Sequence, residues 1–168
     1  MNGKAKKIAL YGVMAAAALI LSYVESLIPA FFAVPGMKLG LTNIVVLVML
    51  YLISARSALL VNIVRIILVS ILFGNIASFA YSIAGGLLSF LVMYLLKKSG
   101  RFSIVAVSIA GGAAHNAGQI LTAMFLLHTV SLAWYLIILW FSGITAGAVI
   151  GIIGAVLTRK LSKVKLFN

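Results

Sequence analysis

The chain has 168 residues, 65% of them hydrophobic and 8% charged, with a mean hydropathy of +1.29. That balance excludes an ordinary soluble domain and places the chain in a membrane. Thirteen Lys and Arg against one acidic residue give a formal charge of +12, and the absence of Cys excludes disulfides, thiolate metal sites and thiol nucleophiles.

Crossing a hydrocarbon core about 30 Å thick takes about 20 mainly apolar residues. Prolines, glycines and charges divide the sequence into six expected spans in a single transmembrane domain, residues 1–168. Lys4, Lys6 and Lys7 precede the first, at about 8–28, which ends at Pro29. It is too long for the apolar region of a signal peptide and lacks a small-residue cleavage site, so it is read as a retained helix. The connection from Pro29 to Lys38 carries Phe31, Phe32 and Pro35, and it reads equally as a lid over the outer face or as an ordinary link. The second span, 39–55, is punctuated by Arg56, and the third, 57–73, stops at the turn pair Gly74-Asn75. The fourth, 76–96, ends at Lys97, Lys98, Gly100 and Arg101. The fifth covers 102–127, the loop His128 to Ser131 follows, and the sixth runs over 132–157 before Arg159, Lys160, Lys163 and Lys165.

With six spans, the N-terminus, the second and fourth connections and the C-terminus share one side and hold 11 of the 13 bases. The positive-inside rule makes that side cytoplasmic, with both termini there. A net charge that would suggest nucleic acid in a soluble chain thus reports membrane orientation. The pairs Phe31-Phe32 and Trp134-Tyr135 fall at outer span ends, as interfacial anchors do.

Polar residues inside the spans are the candidate chemistry. At about 100° per residue, Ser108, Gly112, His115, Asn116, Gln119 and Thr122 fall within about a third of the fifth helix's circumference. Such a stripe avoids lipid and serves either interhelical hydrogen bonding or a solute cavity. The small residues Gly111, Gly112, Ala113, Ala114, Ala117 and Gly118 around it leave room for a solute or for a close helix. Arg65 lies about halfway along the third span with Asn62 one turn away, and an arginine at that depth is costly enough to be a functional candidate. It pairs with Glu25, the one acidic residue, or it takes a carboxylate or phosphate in bidentate geometry. Lys38 and Asn43 are placed near the mouth of the expected cavity. Ser78, Ser82, Gly85, Gly86 and Ser89 on the fourth helix, and Gly143, Gly147, Gly151 and Gly154 on the sixth, read as packing seams.

Some chemistry is excluded by what is missing. Mg²⁺-dependent diphosphate chemistry needs clustered Asp, and the chain has no Asp and only Glu25. No Walker-type loop is present, so ATP hydrolysis would belong to another polypeptide. His115 and His128 make a weak metal case, and no acid orients a Ser–His nucleophile. The expectation is a chain that is not an enzyme and has no cofactor.

The segments GMKLGLTNIV (36–45), NIVRIILVSILFG (62–74), SIAGGLLSFLVMYLLKK (82–98) and SIAGGAAHNAGQI (108–120) together resemble the Gx transporter family, also called heptaprenyl diphosphate synthase component I. The resemblance covers about residues 8–157, carried above all by KLGLTN and HNAGQ. It implies an all-α, six-helix bundle like the substrate-binding components of energy-coupling factor transporters, in a bacterial or archaeal cell membrane. It also implies a transmembrane coupling subunit and two cytoplasmic ATPases as partners, and a small micronutrient or cofactor precursor as cargo. The substrate set expected on that reading is Arg65, Asn62, His115, Asn116, Gln119, Glu25, Lys38 and Asn43. Docking on a coupling subunit through small residues of the first helix finds two matches, Ala5-xxx-Ala9 and Gly12-xxx-Ala16. The second function carried by the resemblance is a non-catalytic membrane accessory to heptaprenyl diphosphate synthesis.

Overall fold

A computed structural model describes residues 3–27 and 40–164. They form helices α1 (Gly3–Leu27), α2 (Asn43–Leu52), α3 (Ala55–Phe73), α4 (Ile76–Ser99), α5 (Ile104–Leu127) and α6 (Ala133–Leu161), with a 3₁₀ turn at Val130–Leu132. Five of the six, all but α2, are long and apolar enough to cross a membrane, and the chain is a multi-pass membrane protein. Side chains such as Ile76, Phe125 and Trp134 are 89%, 76% and 77% exposed, a surface that only lipid covers favourably.

The expected second span, 39–55, is corrected to the ten-residue helix Asn43–Leu52. At 1.5 Å per residue it covers about 15 Å, roughly half of a hydrocarbon core. Backbone geometry sets its limits. Gly40 adopts φ +82, a left-handed conformation that a glycine takes without strain and that cannot continue a helix. At the other end Ile53 leaves the helical region, and Ser54 turns extended to cap α3, its hydroxyl accepting from Ser57 N at 3.1 Å. What the pattern shows as an apolar span is instead the most buried helix of the bundle. Val46, Leu47, Met49 and Leu50 are almost fully enclosed.

Contacts at known levels order the helices. Tyr23 and Phe73, near the ends of α1 and α3, pack with tilted rings at 5.1 Å between centroids, and Ser57 at the start of α3 donates to Tyr11 Oη at 2.9 Å, so these two helices run parallel. The α2 helix runs back between them: Thr42 at its start shares a 2.8 Å hydrogen bond with Ser22, and Leu50 near its end receives Lys97 Nζ from the last turn of α4. The ends of α2 and α4 and the starts of α1 and α3 therefore share one end of the bundle, which we call the near end. Helix α6 returns antiparallel to α5, so its last turns, with Gly154 against Leu47, also finish there. Short as it is, α2 still brings the chain back, and the start of α1 and the end of α6 lie at one end of the bundle.

Close approach of α5 and α6 rests on glycine. A Cβ on Gly112 would overlap the Gly143 carbonyl, and one on Gly147 would stand 2.8 Å from the Ser108 oxygen. The glycine seam of α6 is thus an internal contact. Gly112→Ala is expected to cost about 1–3 kcal/mol by forcing the two helices apart. Gly12→Ala in α1, where an added Cβ meets nothing within 4 Å, should be neutral or stabilising by up to about 1 kcal/mol. Thermal unfolding of the two variants in detergent, followed by tryptophan fluorescence, checks both.

Candidate functional site

Polar residues from five helices meet at the level where α2 begins. Glu25, in the last turn of α1, accepts from the backbone N–H of Gly40 and from that of Leu41, the latter at 3.2 Å. Asn43 opens α2 and donates to Ser89 of α4 at 3.5 Å. On α3, Arg65 donates to Asn62 at 2.6 Å, and Asn62 donates in turn to the Gly86 carbonyl at 3.3 Å. The antiparallel register that pairs Asn62 with Gly86 sets Ser82 at the level of Arg65.

Glycines shape this cluster from two sides. A Cβ on Gly40 would stand 3.0 Å from Asn43 Nδ2 and 3.5 Å from His115 Cδ2. One on Gly85 would stand 3.2 Å from His115 Cε1 and 2.9 Å from Gln119 Cγ. The His115 ring is therefore held between the start of α2 and α4, with Gln119 a turn further along the same seam. Gly86 faces the other way, toward Asn62 and Ile66. The Gly85-Gly86 pair is what lets α3 and α5 both bring polar side chains against α4.

In this region Arg65 Nε and Ser82 Oγ have no hydrogen-bond partner among the described residues. Both residues are buried, Arg65 to 4% exposure. Arg65 nevertheless feels the opposite charge of Glu25, itself buried, across the site. The one acidic residue and the one mid-span arginine thus lie close enough to interact, which the sequence alone left open.

The structure brings Glu25, Asn43, Asn62, Arg65, His115 and Gln119 together. It sets Asn116 apart, because that side chain turns to α6 and donates to the Leu139 carbonyl at 2.6 Å. Lys38, and with it Phe31 and Phe32 of the expected lid, lies outside the described residues. The polar stripe of α5 straddles two seams: His115 and Gln119 face α4, Ser108, Gly112 and Asn116 face α6, and Thr122 bonds back to the Gly118 carbonyl at 2.9 Å. Three contributors escaped sequence reasoning as site residues. They are Gly40 and Leu41, which offer backbone N–H groups, and Ser82, which was assigned to packing. Gly40 carried a signal, a glycine two residues before a helix-opening Thr-Asn.

A family model described as heptaprenyl diphosphate synthase component I matches residues 14–157. The chain belongs to that family. No curated protein and no solved structure matches it. The matched range holds all six helices in whole or large part, and every described member of the polar cluster falls within it.

An apolar groove lined by Ile67, Ser70, Ile71, Ile76 and Phe79 opens between the far ends of α3 and α4. It is a lipid-facing surface, separate from the cluster. Replacing Asn116 by Leu is expected to lower stability by about 1 kcal/mol through the lost bond to α6, with solute occupancy unchanged. Thermal unfolding beside quantification of copurified solute separates this packing role from a binding role.

Proposed function

We propose that this chain is a membrane-embedded solute-binding subunit of an energy-coupling-factor-type uptake transporter, taking a small micronutrient or cofactor precursor. The observation that carries the reading is Arg65: a guanidinium buried at mid-span, hydrogen-bonded to Asn62 through one nitrogen and holding Nε without an acceptor. Leaving such a donor unmatched in a bundle is costly unless another group supplies the acceptor, and a solute carboxylate or phosphate is suited to do so. Around it, Asn43, Asn62, His115 and Gln119 offer neutral donors and acceptors, and Ser82 a hydroxyl. Their enclosure by Gly40, ahead of α2, and by Gly85 and Gly86 of α4 gives a solute close access to backbone.

On this reading the near end, rich in Lys and Arg, is cytoplasmic. There a coupling subunit and two ATPases dock, since the chain has no nucleotide-binding loop of its own. The site opens toward the far, outer side.

The family description favours a second reading, a non-catalytic membrane component of heptaprenyl diphosphate synthesis. With no Asp and a single Glu already engaged at the start of α2, the chain has little to offer a Mg²⁺–diphosphate reaction, so its part there would be accessory.

Purification in mild detergent without added ligand, followed by native mass spectrometry, tests the two. A small metabolite bound to the wild type, with a coupling protein and ATPases alongside, supports the transport reading; a prenyl synthase partner and no solute supports the second. Arg65→Ala is expected to weaken solute binding about tenfold to a hundredfold, the worth of a hydrogen bond to a charged group, while folded yield stays near wild type. Loss of the folded protein instead would assign Arg65 to structure.

A further inference from the structure

The start of α2 has the makings of an anion site. Gly40 and Leu41 direct their N–H groups at a single carboxylate oxygen, Glu25 Oε1. The end of a ten-residue helix adds its partial positive charge at that point. An independent observation points the same way: Arg65, buried and with Nε lacking an acceptor, lies within electrostatic reach of that same carboxylate. Backbone amides and a helix N-terminus thus converge on one negative group, with the buried Arg65 guanidinium in the same polar cluster. That group belongs to the chain.

We infer that Glu25 is the resident occupant of an anion-binding site, and that a solute carboxylate or phosphate binds by taking its place on the Gly40 and Leu41 amides, with Arg65 Nε as a further donor. The inference rests on the solute-binding reading of this site and names its substrate class, a molecule with a carboxylate or phosphate group. Exchange rather than addition follows from charge. With Glu25 in place, the amides already hold a negative group, and a second anion beside it would meet like-charge repulsion in a medium that screens poorly. With Glu25 withdrawn, the amides and Arg65 present an unmatched positive site. Glu25 therefore acts as a tethered competitor: it keeps the site satisfied when no solute is bound and lowers the affinity of any anion by the fraction of time it occupies the site.

The composition makes the test direct. The chain has one Glu and no Asp, so a side-chain carboxylate label from δ-¹³C-glutamate reports Glu25 alone. Wild-type protein in lipid nanodiscs is titrated with inorganic phosphate at constant ionic strength against chloride, and in a parallel arm with decyl phosphate. The Glu25 signal is expected to move saturably. Movement with inorganic phosphate assigns the site to an aqueous solute, and movement with decyl phosphate alone assigns it to a membrane-borne anion. Glu25→Gln is expected to bind the active probe at least about tenfold more tightly, read from the concentration dependence of thermal stabilisation, and Arg65→Gln to abolish the response. A signal that stays fixed in both arms overturns the inference, as does one that moves equally in Arg65→Gln. The wild-type titration decides the matter even if a variant fails to fold. A fixed signal beside an Arg65-dependent copurified solute removes the exchange and leaves the transport reading standing. A moving signal in a protein that copurifies with neither solute nor ATPases does the reverse.

Discussion

A ten-residue helix that begins deep in the bundle poses the problem that the rest of this structure answers. Its first N–H groups and last carbonyls have no partners within the helix, and inside a bilayer no water is at hand to supply them. The chain meets both ends with charge of the right sign. Glu25 accepts from the amides that lead into α2, and Lys97 donates to the Leu50 carbonyl near its end, its ammonium also 5.2 Å from the Tyr51 ring centroid. An anion at the N-terminus and a cation at the C-terminus are the arrangement the helix dipole favours. Because α2 is thereby held at half the length of its neighbours, its N-terminus lies deep in the bundle rather than at the surface. The polar cluster forms around that N-terminus.

Packing of the longer helices follows from where glycine stands. On the α5–α6 seam, Gly112, Gly143, Gly147 and Gly151 bring backbone against backbone, and Asn116 fixes the register through the Leu139 carbonyl. On the α4 side, Gly85 and Gly86 make space for side chains instead, His115 and Gln119 from α5 and Asn62 from α3. The same residue type thus does two things. Where the facing residue is small it draws helices together, and where the facing residue is polar and large it leaves room for chemistry.

Family membership and the fold agree on a membrane component. Its acidic inventory is a single Glu engaged in holding α2, and the described basic residues other than Arg65 cluster at the near end. The solute-binding reading gives the unmatched Arg65 Nε and Ser82 Oγ a purpose that helix packing does not.

Composition and periodicity by themselves determined the membrane class, the all-helical fold, the limits of the long helices to within a few residues, and the polar positions that avoid lipid. These are local properties: hydropathy over about 20 residues, and the cost of a charge or an unmet hydrogen bond in hydrocarbon. Tertiary structure alone decided the rest. The segment 39–55 reads as a span because its residues are apolar, yet burial by protein and burial by lipid select the same side chains, so the pattern could not disclose that α2 is a short helix enclosed by its neighbours. The α5 stripe read as one face, but adjacent residues His115 and Asn116 point to different helices, a division set by where α4 and α6 lie. Glu25 and Arg65 stand 40 residues apart in sequence. Only the parallel packing of α1 with α3, and the return of α2 beside them, brings the one acid and the buried arginine into one site.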